Sequence, residues 1–177
     1  MLFRSRGVSI ERPGGASETI GCETLILACN GYGGNRDLVR QHIPPMAEAP
    51  YYGRTGNTGD ALLWGEALGA ETRHLSGCQG HGSLAHPHGI LITWALMMEG
   101  GFQINAEGLR FSNEHAGYSE QSIPVLQQSG GVAWTIFDQR LYDFALGFPD
   151  FLEADKVGAV RSATSISALA TTLDVPA

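Results

Sequence analysis

The amino-acid sequence predicts an α+β fold in two parts, and three patterns lead to that prediction. Val8 and Ile10 alternate with polar side chains before a glycine-rich turn, and an apolar run follows at Leu25 to Ala28, which is typical of β-strands. Residues 58–69 repeat apolar side chains at helical spacing. From about Leu75 onward, glycine, histidine and proline interrupt the periodicity. We therefore expect a first domain over residues 1–75 and a second over residues 76–177.

The first part is predicted to begin with a β-hairpin whose turn is Pro13-Gly14-Gly15. The apolar run Leu25 to Ala28 predicts a buried strand. Asn35 is a candidate N-cap for a helix over residues 36–42, because its side chain can accept a hydrogen bond from the first turn. The pair Pro44-Pro45 is expected to stop that helix.

The stretch TGDALLWGEALGAET predicts the clearest helix of the chain. Thr58 is expected to cap its start, and Gly69 is expected to end it. The next segments are predicted to be a loop in GCQGHGSLAHPHG, a strand or short helix in ILITWALMM, and a hairpin that turns at Ala106-Glu107-Gly108. A helix is predicted over residues 119–127 and a buried strand in GGVAWTIFD. Residues 139–173 are predicted to be mostly helical, with breaks at Pro149 and Gly158.

The composition indicates a globular protein and argues against several partners. Hydrophobic residues make up 43% and charged residues 16%, with a net charge of -7, so nucleic acid is not an expected partner. Cys22, Cys29 and Cys78 are too scattered for a disulfide framework or a zinc site, which favours reduced thiols and a cytoplasmic protein. We expect neither a secretory signal at residues 1–4 nor a membrane span.

Two glycine-rich loops are candidates for binding an anion or a cofactor ring. LACNGYGGN follows the predicted buried strand and leads into a helix, and GNTGDA opens the next helix. Backbone N–H groups in such loops can face a bound group, and loops at strand ends hold cofactors in α/β folds. Each loop also has a structural explanation, since glycines permit close packing and Thr58 and Asp60 suit a helix start.

Polar side chains of the second part are candidates for substrate contacts. His81, His86 and His88 lack a nearby carboxylate to complete a metal site, so no metal is expected. Hydrogen bonding of an anionic or carbonyl substrate by a histidine is the better interpretation. Arg110 and Glu114 are also explained as an ion pair that holds a loop.

Taken in order, these segments resemble the flavoprotein family of soluble fumarate reductases, succinate dehydrogenase flavoprotein subunits and 3-ketosteroid dehydrogenases. The matching segments are LACNGYGGN, TGDA with EALGA, QGH, GLRFSNE and WTIFD. In that family an FAD-binding domain carries an inserted capping domain, and the substrate lies between them. The resemblance implies a partial FAD-binding domain (β-rich with helices) over residues 1–75, an incomplete α+β capping (clamp) domain over residues 76–177, and FAD as cofactor.

The resemblance also implies that the chain is an internal or truncated portion of a larger protein. The family's dinucleotide fingerprint has no match in residues 1–34, and the last residues still resemble the cap. We expect the isolated chain to be inactive because its FAD site is incomplete. Apolar surface on the incomplete FAD domain is expected to favour association.

Residue roles follow from the same resemblance. His81 matches a substrate-binding and catalytic histidine, and Thr93 matches a substrate-binding threonine. Trp94 and Met97 stand where fumarate reductases have proton-pathway residues. Trp94 is assigned to substrate binding as part of an apolar wall, and core packing explains both side chains at least as well. Tyr118 stands where those enzymes have a proton-donating arginine and where 3-ketosteroid dehydrogenases have a catalytic tyrosine. Cofactor contacts are assigned to Asn30, Gly31, Gly33, Gly34, Asn35, Thr58, Gly59 and Asp60.

These substitutions favour a small-molecule substrate that carries a carbonyl group and less charge than fumarate. The predicted function is α,β-dehydrogenation, or the reverse alkene reduction, by hydride transfer at FAD, with Tyr118 exchanging the proton. Two alternatives stay open. The first is a fumarate reductase or tricarballylate dehydrogenase-like enzyme that acts on carboxylates, and the second is a non-catalytic, cap-like binding module.

Overall fold

A computed structural model of the protein describes residues 7–176, which form short helices and three two-stranded antiparallel sheets. Mixed helices and small sheets confirm the α+β class. The described residues form two compact units: unit 1 contains residues 7–42 and 53–75, and unit 2 contains residues 43–52 and 76–176. The expectation about a secretory signal concerns residues 1–4, which lie outside the described range. Within residues 7–176, no helix combines the length and apolar character needed to cross a bilayer.

Unit 1 begins with the predicted hairpin. Strand β1 (Gly7–Glu11) pairs antiparallel with β2 (Ser17–Gly21), so that Val8 lies opposite Ile20. The tight turn between them places Gly14 and Gly15 at φ values of 102° and 84°, a region that favours glycine. The turn chemistry of the sequence therefore predicted this hairpin correctly.

The prediction of a buried strand over Leu25 to Ala28 is wrong. These residues lie in neither a strand nor a helix, and Ile26 is 83% exposed. No strand of the described chain pairs with the segment, and a strand needs such a partner to satisfy its backbone groups. Leu25 and Leu27 instead line an open groove of about 300 Å³ together with Trp64 and other residues of unit 1.

Helix α1 (Arg36–His42) begins as predicted at Asn35, whose side-chain oxygen accepts from the N–H groups of Asp37 and Leu38, each at 3.2 Å. The helix ends at His42, and a single 3₁₀ turn over Pro44–Met46 follows in unit 2. Proline cannot continue the backbone hydrogen bonds of a helix, which explains the stop.

Helix α2 (Asp60–Ala67) forms where the apolar spacing predicted it. The prediction that Thr58 caps the helix is wrong: Gly59 is the N-cap at φ 90°, and the Thr58 hydroxyl donates to the Asp60 carboxylate at 2.9 Å. The predicted end at Gly69 is confirmed, since Gly69 donates to Glu66 and the next residue donates to Gly65. That pair of bonds is the Schellman motif, which favours glycine.

Unit 2 contains the remaining strands and α-helices of the described chain, which are β3 (Leu84–Ala85), β4 (Ile90–Leu91), α3 (Ala95–Met98), β5 (Phe102–Ile104), α4 (Ser122–Leu126), β6 (Trp134–Ile136), α5 (Gln139–Ala145), α6 (Pro149–Lys156) and α7 (Ile166–Leu173). It also contains 3₁₀ turns over Glu114–Ala116 and Ser129–Gly131. The predicted breaks at Pro149 and Gly158 are confirmed as the first residue of α6 and the position just beyond its end. The predicted helix over residues 119–127 is shorter, and the predicted loop before β4 contains β3.

The hairpin predicted within residues 100–114 is only half correct. A turn does form, because Gly108 donates to the carbonyl of Asn105 at 3.1 Å. The segment after the turn is not a strand, however, and β5 pairs with β6 instead, with Gln103 opposite Thr135. The pairing partner was therefore a distant segment that hairpin rules cannot identify.

A hydrophobic core lies within unit 2. Its buried residues come from α3, α5 and α6, together with the residue that precedes α3, and they are Trp94, Leu96, Met97, Leu141, Ala145 and Phe151. Phe151 contacts Phe137 and Tyr142 edge-on, with ring centroids 5.9 and 5.8 Å apart. Trp94, one of the candidate substrate-binding residues, is therefore part of this core.

Candidate functional site

In unit 1 the two glycine-rich loops lie against each other. The Gly34 N–H donates to the Asn57 carbonyl at 2.9 Å, and the Asn35 side-chain amide donates to the Thr58 carbonyl at 3.1 Å. Asn35 therefore acts twice, as the cap of α1 and as the link to the second loop. The sequence predicted the cap but gave no sign of the link.

Several glycines of these loops are explained by that close contact. A Cβ atom at Gly34 would lie 2.5 Å from the Thr55 carbonyl oxygen, which is far too close. A Cβ atom at Gly59 would lie 2.7 Å from Leu38 and 2.9 Å from Tyr32. By contrast, a Cβ atom at Gly31 would meet nothing within 4 Å, so the backbone there faces open space.

The other residues assigned to the cofactor occupy varied positions in the same two loops. Asn30 is exposed at φ 65°, and its side-chain oxygen accepts from the Gly31 N–H at 2.9 Å. Gly33 is half-buried in the turn before α1. Thr58 and Asp60 are paired with each other at the start of α2. Unit 1 thus brings all eight predicted cofactor residues onto two loops that are in contact.

In unit 2 the structure brings together three of the four residues assigned to substrate or catalysis. The ring of His81 lies 5.4 Å from the ring of Tyr118 and 5.9 Å from the ring of Trp94, measured between centroids. Tyr118 is 38% exposed, whereas Trp94 is buried with its indole N–H unpaired. Thr93 is half-buried, and its hydroxyl accepts from the Ala95 N–H at the start of α3.

Two hydrogen bonds donated by backbone N–H groups hold the loop of His81 beside Tyr118. The Gly82 N–H donates to the Tyr118 carbonyl at 2.9 Å, and the Gly80 N–H donates to the Ser119 hydroxyl at 3.0 Å. Neither glycine has room for a side chain, since a Cβ atom at Gly82 would lie 2.7 Å from Gln121. The loop around His81 is therefore fixed in register against the segment that carries Tyr118.

The imidazole of His81 is oriented as an uncharged donor. Its Nδ1 accepts from the Ser83 N–H at 3.2 Å, which leaves the proton of the neutral ring on Nε2. Burial lowers the pKa of His81 below its usual value, because the charged form loses solvation. At neutral pH the ring can therefore donate a hydrogen bond without adding positive charge.

A buried polar network supports the same loop from the other side. The Gln103 side chain donates to the Gly82 carbonyl at 2.8 Å and accepts from Gln121 at 2.8 Å. The fully buried Glu114 carboxylate accepts from the Gln103 N–H at 2.7 Å and from the Arg110 guanidinium at 2.6 to 3.1 Å. The ion pair suggested by the sequence thus exists. Through Gln103 of strand β5, it is connected to the loop that carries His81.

Sequence reasoning missed Gln79 as a member of this cluster. Its side-chain amide donates to the Tyr118 hydroxyl, although the two residues are 39 positions apart. Gln79 is the first residue of the QGH segment, but no feature of the neighbouring sequence indicated its contact with Tyr118.

His86 and His88 lie in the exposed turn between β3 and β4. Within residues 7–176, no three metal-binding side chains are grouped to hold an ion.

The fold just described is shared with a solved reductase and a solved dehydrogenase. The open conformation of a flavocytochrome c3 fumarate reductase matches 96% of this chain and 30% of its own, with a TM-score of 0.69 at 24% identity. A 3-ketosteroid-delta4-(5alpha)-dehydrogenase from Rhodococcus jostii RHA1, in complex with 4-androstene-3,17-dione, matches 98% of this chain and 34% of its own, with a TM-score of 0.62 at 19% identity. At these identities the likeness concerns the fold.

The chain belongs to the FAD binding domain family, whose model matches residues 4–139. It is 31% identical over 123 residues to a probable fumarate reductase, Ifc3, of Shewanella frigidimarina (strain NCIMB 400), which covers 70% of this chain and 21% of that protein. It is 23% identical over 119 residues to the NADH:fumarate oxidoreductase of Klebsiella pneumoniae (strain 342), covering 67% and 13% respectively. This chain therefore spans about a fifth or less of these relatives.

FAD is the cofactor that this membership indicates. The two loops of unit 1 fit contact with such a group at their open positions, because a Cβ atom at Gly31 or Gly56 would meet no atom within 4 Å. A flat or phosphorylated ligand can approach a backbone that no side chain covers. The described loops thus suit one side of a cofactor site.

Proposed function

We propose that the whole protein is an FAD-dependent oxidoreductase that dehydrogenates a carbonyl compound at its α,β-carbons, or reduces the corresponding alkene. The observation that carries the proposal is the His81–Tyr118 pair, with ring centroids 5.4 Å apart. One member is an uncharged hydrogen-bond donor and the other is a phenol that is open to solvent. Such a pair suits a carbonyl oxygen and a neighbouring C–H group.

In this proposal FAD supplies the hydride acceptor or donor. His81 donates its Nε2 proton as a hydrogen bond to the substrate carbonyl oxygen, which stabilises the negative charge that develops there. Tyr118 would exchange a proton with the substrate carbon next to the carbonyl group. In unit 1, the residues proposed to contact FAD are Asn30, Gly31, Gly33, Gly34, Asn35, Thr58, Gly59 and Asp60. In unit 2, Thr93 and Trp94 are proposed to contact substrate.

A second candidate function is reduction or oxidation of carboxylates, which the fumarate reductases among the relatives favour. Against it stands the chemistry around His81. Among the described residues, His81 and Tyr118 contact the side chains of Gln79 and Trp94 and the backbone N–H groups of Gly82 and Ser83, none of which carries a positive charge. A dicarboxylate bound there would lose solvation without a cation to compensate.

The test uses the whole protein that contains this chain, loaded with FAD. A cyclic enone and fumarate are compared as oxidants of the reduced flavin, and flavin absorbance is followed. We expect the enone to reoxidise the flavin much faster than fumarate. Tyr118→Phe is expected to lower the enone rate by at least about 100-fold, since a positioned proton-transfer group contributes about that much. Tyr52→Phe makes the same change at a residue that is 62% exposed and is expected to have little effect.

Rapid turnover of fumarate that survives Tyr118→Phe would instead establish the carboxylate function. The cofactor side is tested separately by Gly31→Val, which has space for its side chain and no left-handed backbone to strain. We expect this variant to keep its fold and to bind FAD more weakly. Unchanged FAD binding would show that the open backbone at Gly31 does not contact the cofactor.

A further inference from the structure

The side-chain amide of Gln79 donates a hydrogen bond to the Tyr118 hydroxyl oxygen. We propose that Gln79 is a positioning residue for Tyr118, which fixes the direction of the phenol proton and stabilises the phenolate when that proton leaves. The inference rests on the proposed function, in which Tyr118 exchanges the substrate proton. Gln79 itself acts only through Tyr118.

The direction of the hydrogen bond determines what the phenol can do. A phenol oxygen has one proton to donate and lone pairs that accept. When an amide N–H occupies a lone pair, the phenol proton points elsewhere and is free for transfer. The same bond strengthens once the oxygen is negatively charged, because hydrogen bonds to charged groups are stronger than neutral ones. Gln79 thus favours the deprotonated form without adding a charge of its own.

The backbone fixes Gln79 next to Tyr118. The next residue, Gly80, donates its N–H to the Ser119 hydroxyl at 3.0 Å, and Gly82 donates to the Tyr118 carbonyl at 2.9 Å. A Cβ atom at Gly80 would lie 2.6 Å from the Ser122 Cβ atom, so this approach requires glycine. The amide of Gln79 therefore reaches the phenol from a constrained segment, although the side chain itself is exposed.

The titratable groups around Tyr118 are few among the described residues. His81 lies against the ring, and burial keeps it uncharged at neutral pH. The carboxylate of Glu120 lies close to Gly117, the residue before Tyr118. Among the described residues, Gln79 is the side chain that donates a hydrogen bond to the phenol oxygen.

The test follows ionisation of Tyr118 in the 177-residue chain without flavin. Tyrosinate absorbance is recorded against pH, and the curve of Tyr118→Phe is subtracted to isolate one of the five tyrosines. Each Gln79 variant is compared with its own Tyr118→Phe counterpart. Gln79→Leu removes the donor, and we expect the midpoint to move to higher pH by about half a unit to one unit, a roughly three- to tenfold change. Gln79→Glu, which adds a negative charge, is expected to move the midpoint further.

Gln127→Glu is the matched control, because it makes the same charge change at an exposed residue beyond α4. A Gln79→Leu midpoint equal to wild type, or moved to lower pH, overturns the inference; the latter result would mean that the amide oxygen accepts from the phenol. These measurements need neither FAD nor substrate. The inference and the proposed function can therefore fail separately, since the latter depends on the Tyr118→Phe turnover result.

Discussion

Replacing Glu114 with glutamine tests whether the buried carboxylate holds the His81 loop of unit 2 in place. Glu114 is fully buried, and it accepts hydrogen bonds from the Gln103 N–H at 2.7 Å and from Arg110 at 2.6 to 3.1 Å. Glutamine keeps one acceptor oxygen but turns an NH₂ group toward these donors. The network that reaches Gly82 through Gln103 should loosen as a result.

The size of the effect follows from burial at the two ends of the ion pair. Breaking a fully buried pair costs about 3–5 kcal/mol. The Arg110 side chain is 54% exposed, so water replaces part of its bonding. Glutamine also retains an acceptor for one of the donors. We therefore expect Glu114→Gln to lower the free energy of unfolding of unit 2 by about 2–3 kcal/mol.

Urea unfolding followed by tryptophan fluorescence measures this loss. A Trp64→Phe background removes the tryptophan of unit 1 and leaves Trp94 and Trp134 as reporters of unit 2. Glu107→Gln makes the same charge change at an exposed glutamate and is expected to change the unfolding free energy by less than about 0.5 kcal/mol. If Glu114→Gln is no more destabilising than this control, the carboxylate does not hold the loop.

The same carboxylate makes stability depend on pH with a definite sign. Burial alone would raise the pKa of Glu114, but the hydrogen bonds from Arg110 and from the Gln103 N–H outweigh it, so the pKa lies below its usual value. The stabilisation is complete above the pKa of an unfolded glutamate and is lost as pH falls through the lowered folded value. On acidification, the wild type should therefore lose more stability than Glu114→Gln.

Three further predictions concern the packed glycines and the histidine. Gly34→Ala should destabilise unit 1 by about 1–3 kcal/mol, because its methyl group would lie 2.5 Å from a carbonyl of the neighbouring loop, whereas Gly31→Ala should be nearly neutral in urea unfolding. Gly82→Ala should destabilise unit 2 by a similar amount through its clash with Gln121, and a wild-type urea midpoint would contradict the clash. In an NMR titration, His81 should gain its proton below the ordinary histidine pKa of about 6.5, because burial opposes the charge. A midpoint at or above that value would refute the uncharged-donor assignment.

Local patterns determined those parts of the fold whose hydrogen bonds run between near neighbours. Asn35 caps α1 through N–H groups two and three residues away. Gly69 ends α2 because a left-handed residue is needed there. The same logic failed at Thr58, where Gly59 took the cap position. Serine, threonine and glycine are all accepted at N-caps, so composition alone does not choose between adjacent candidates.

The strand predicted over Leu25 to Ala28 shows a different limit. Apolar residues in a run indicate a burial preference, but a strand forms only when a second strand pairs with it. In the described chain no strand does so, and Ile26 remains 83% exposed. Similarly, the partner of β5 proved to be β6 rather than the segment just after the turn.

By itself, the sequence determined the α+β class, the hairpin, the helix limits at Asn35 and Gly69, and the ordered motifs that indicated an FAD-binding family. Only the tertiary structure decided that Gln79 reaches Tyr118 and that Gly34 packs against the second glycine-rich loop. The physical reason is the separation along the sequence of the residues that contact each other. Turns and caps depend on a few consecutive residues, whereas these contacts join residues about 20 to 40 positions apart and arise only when the chain packs.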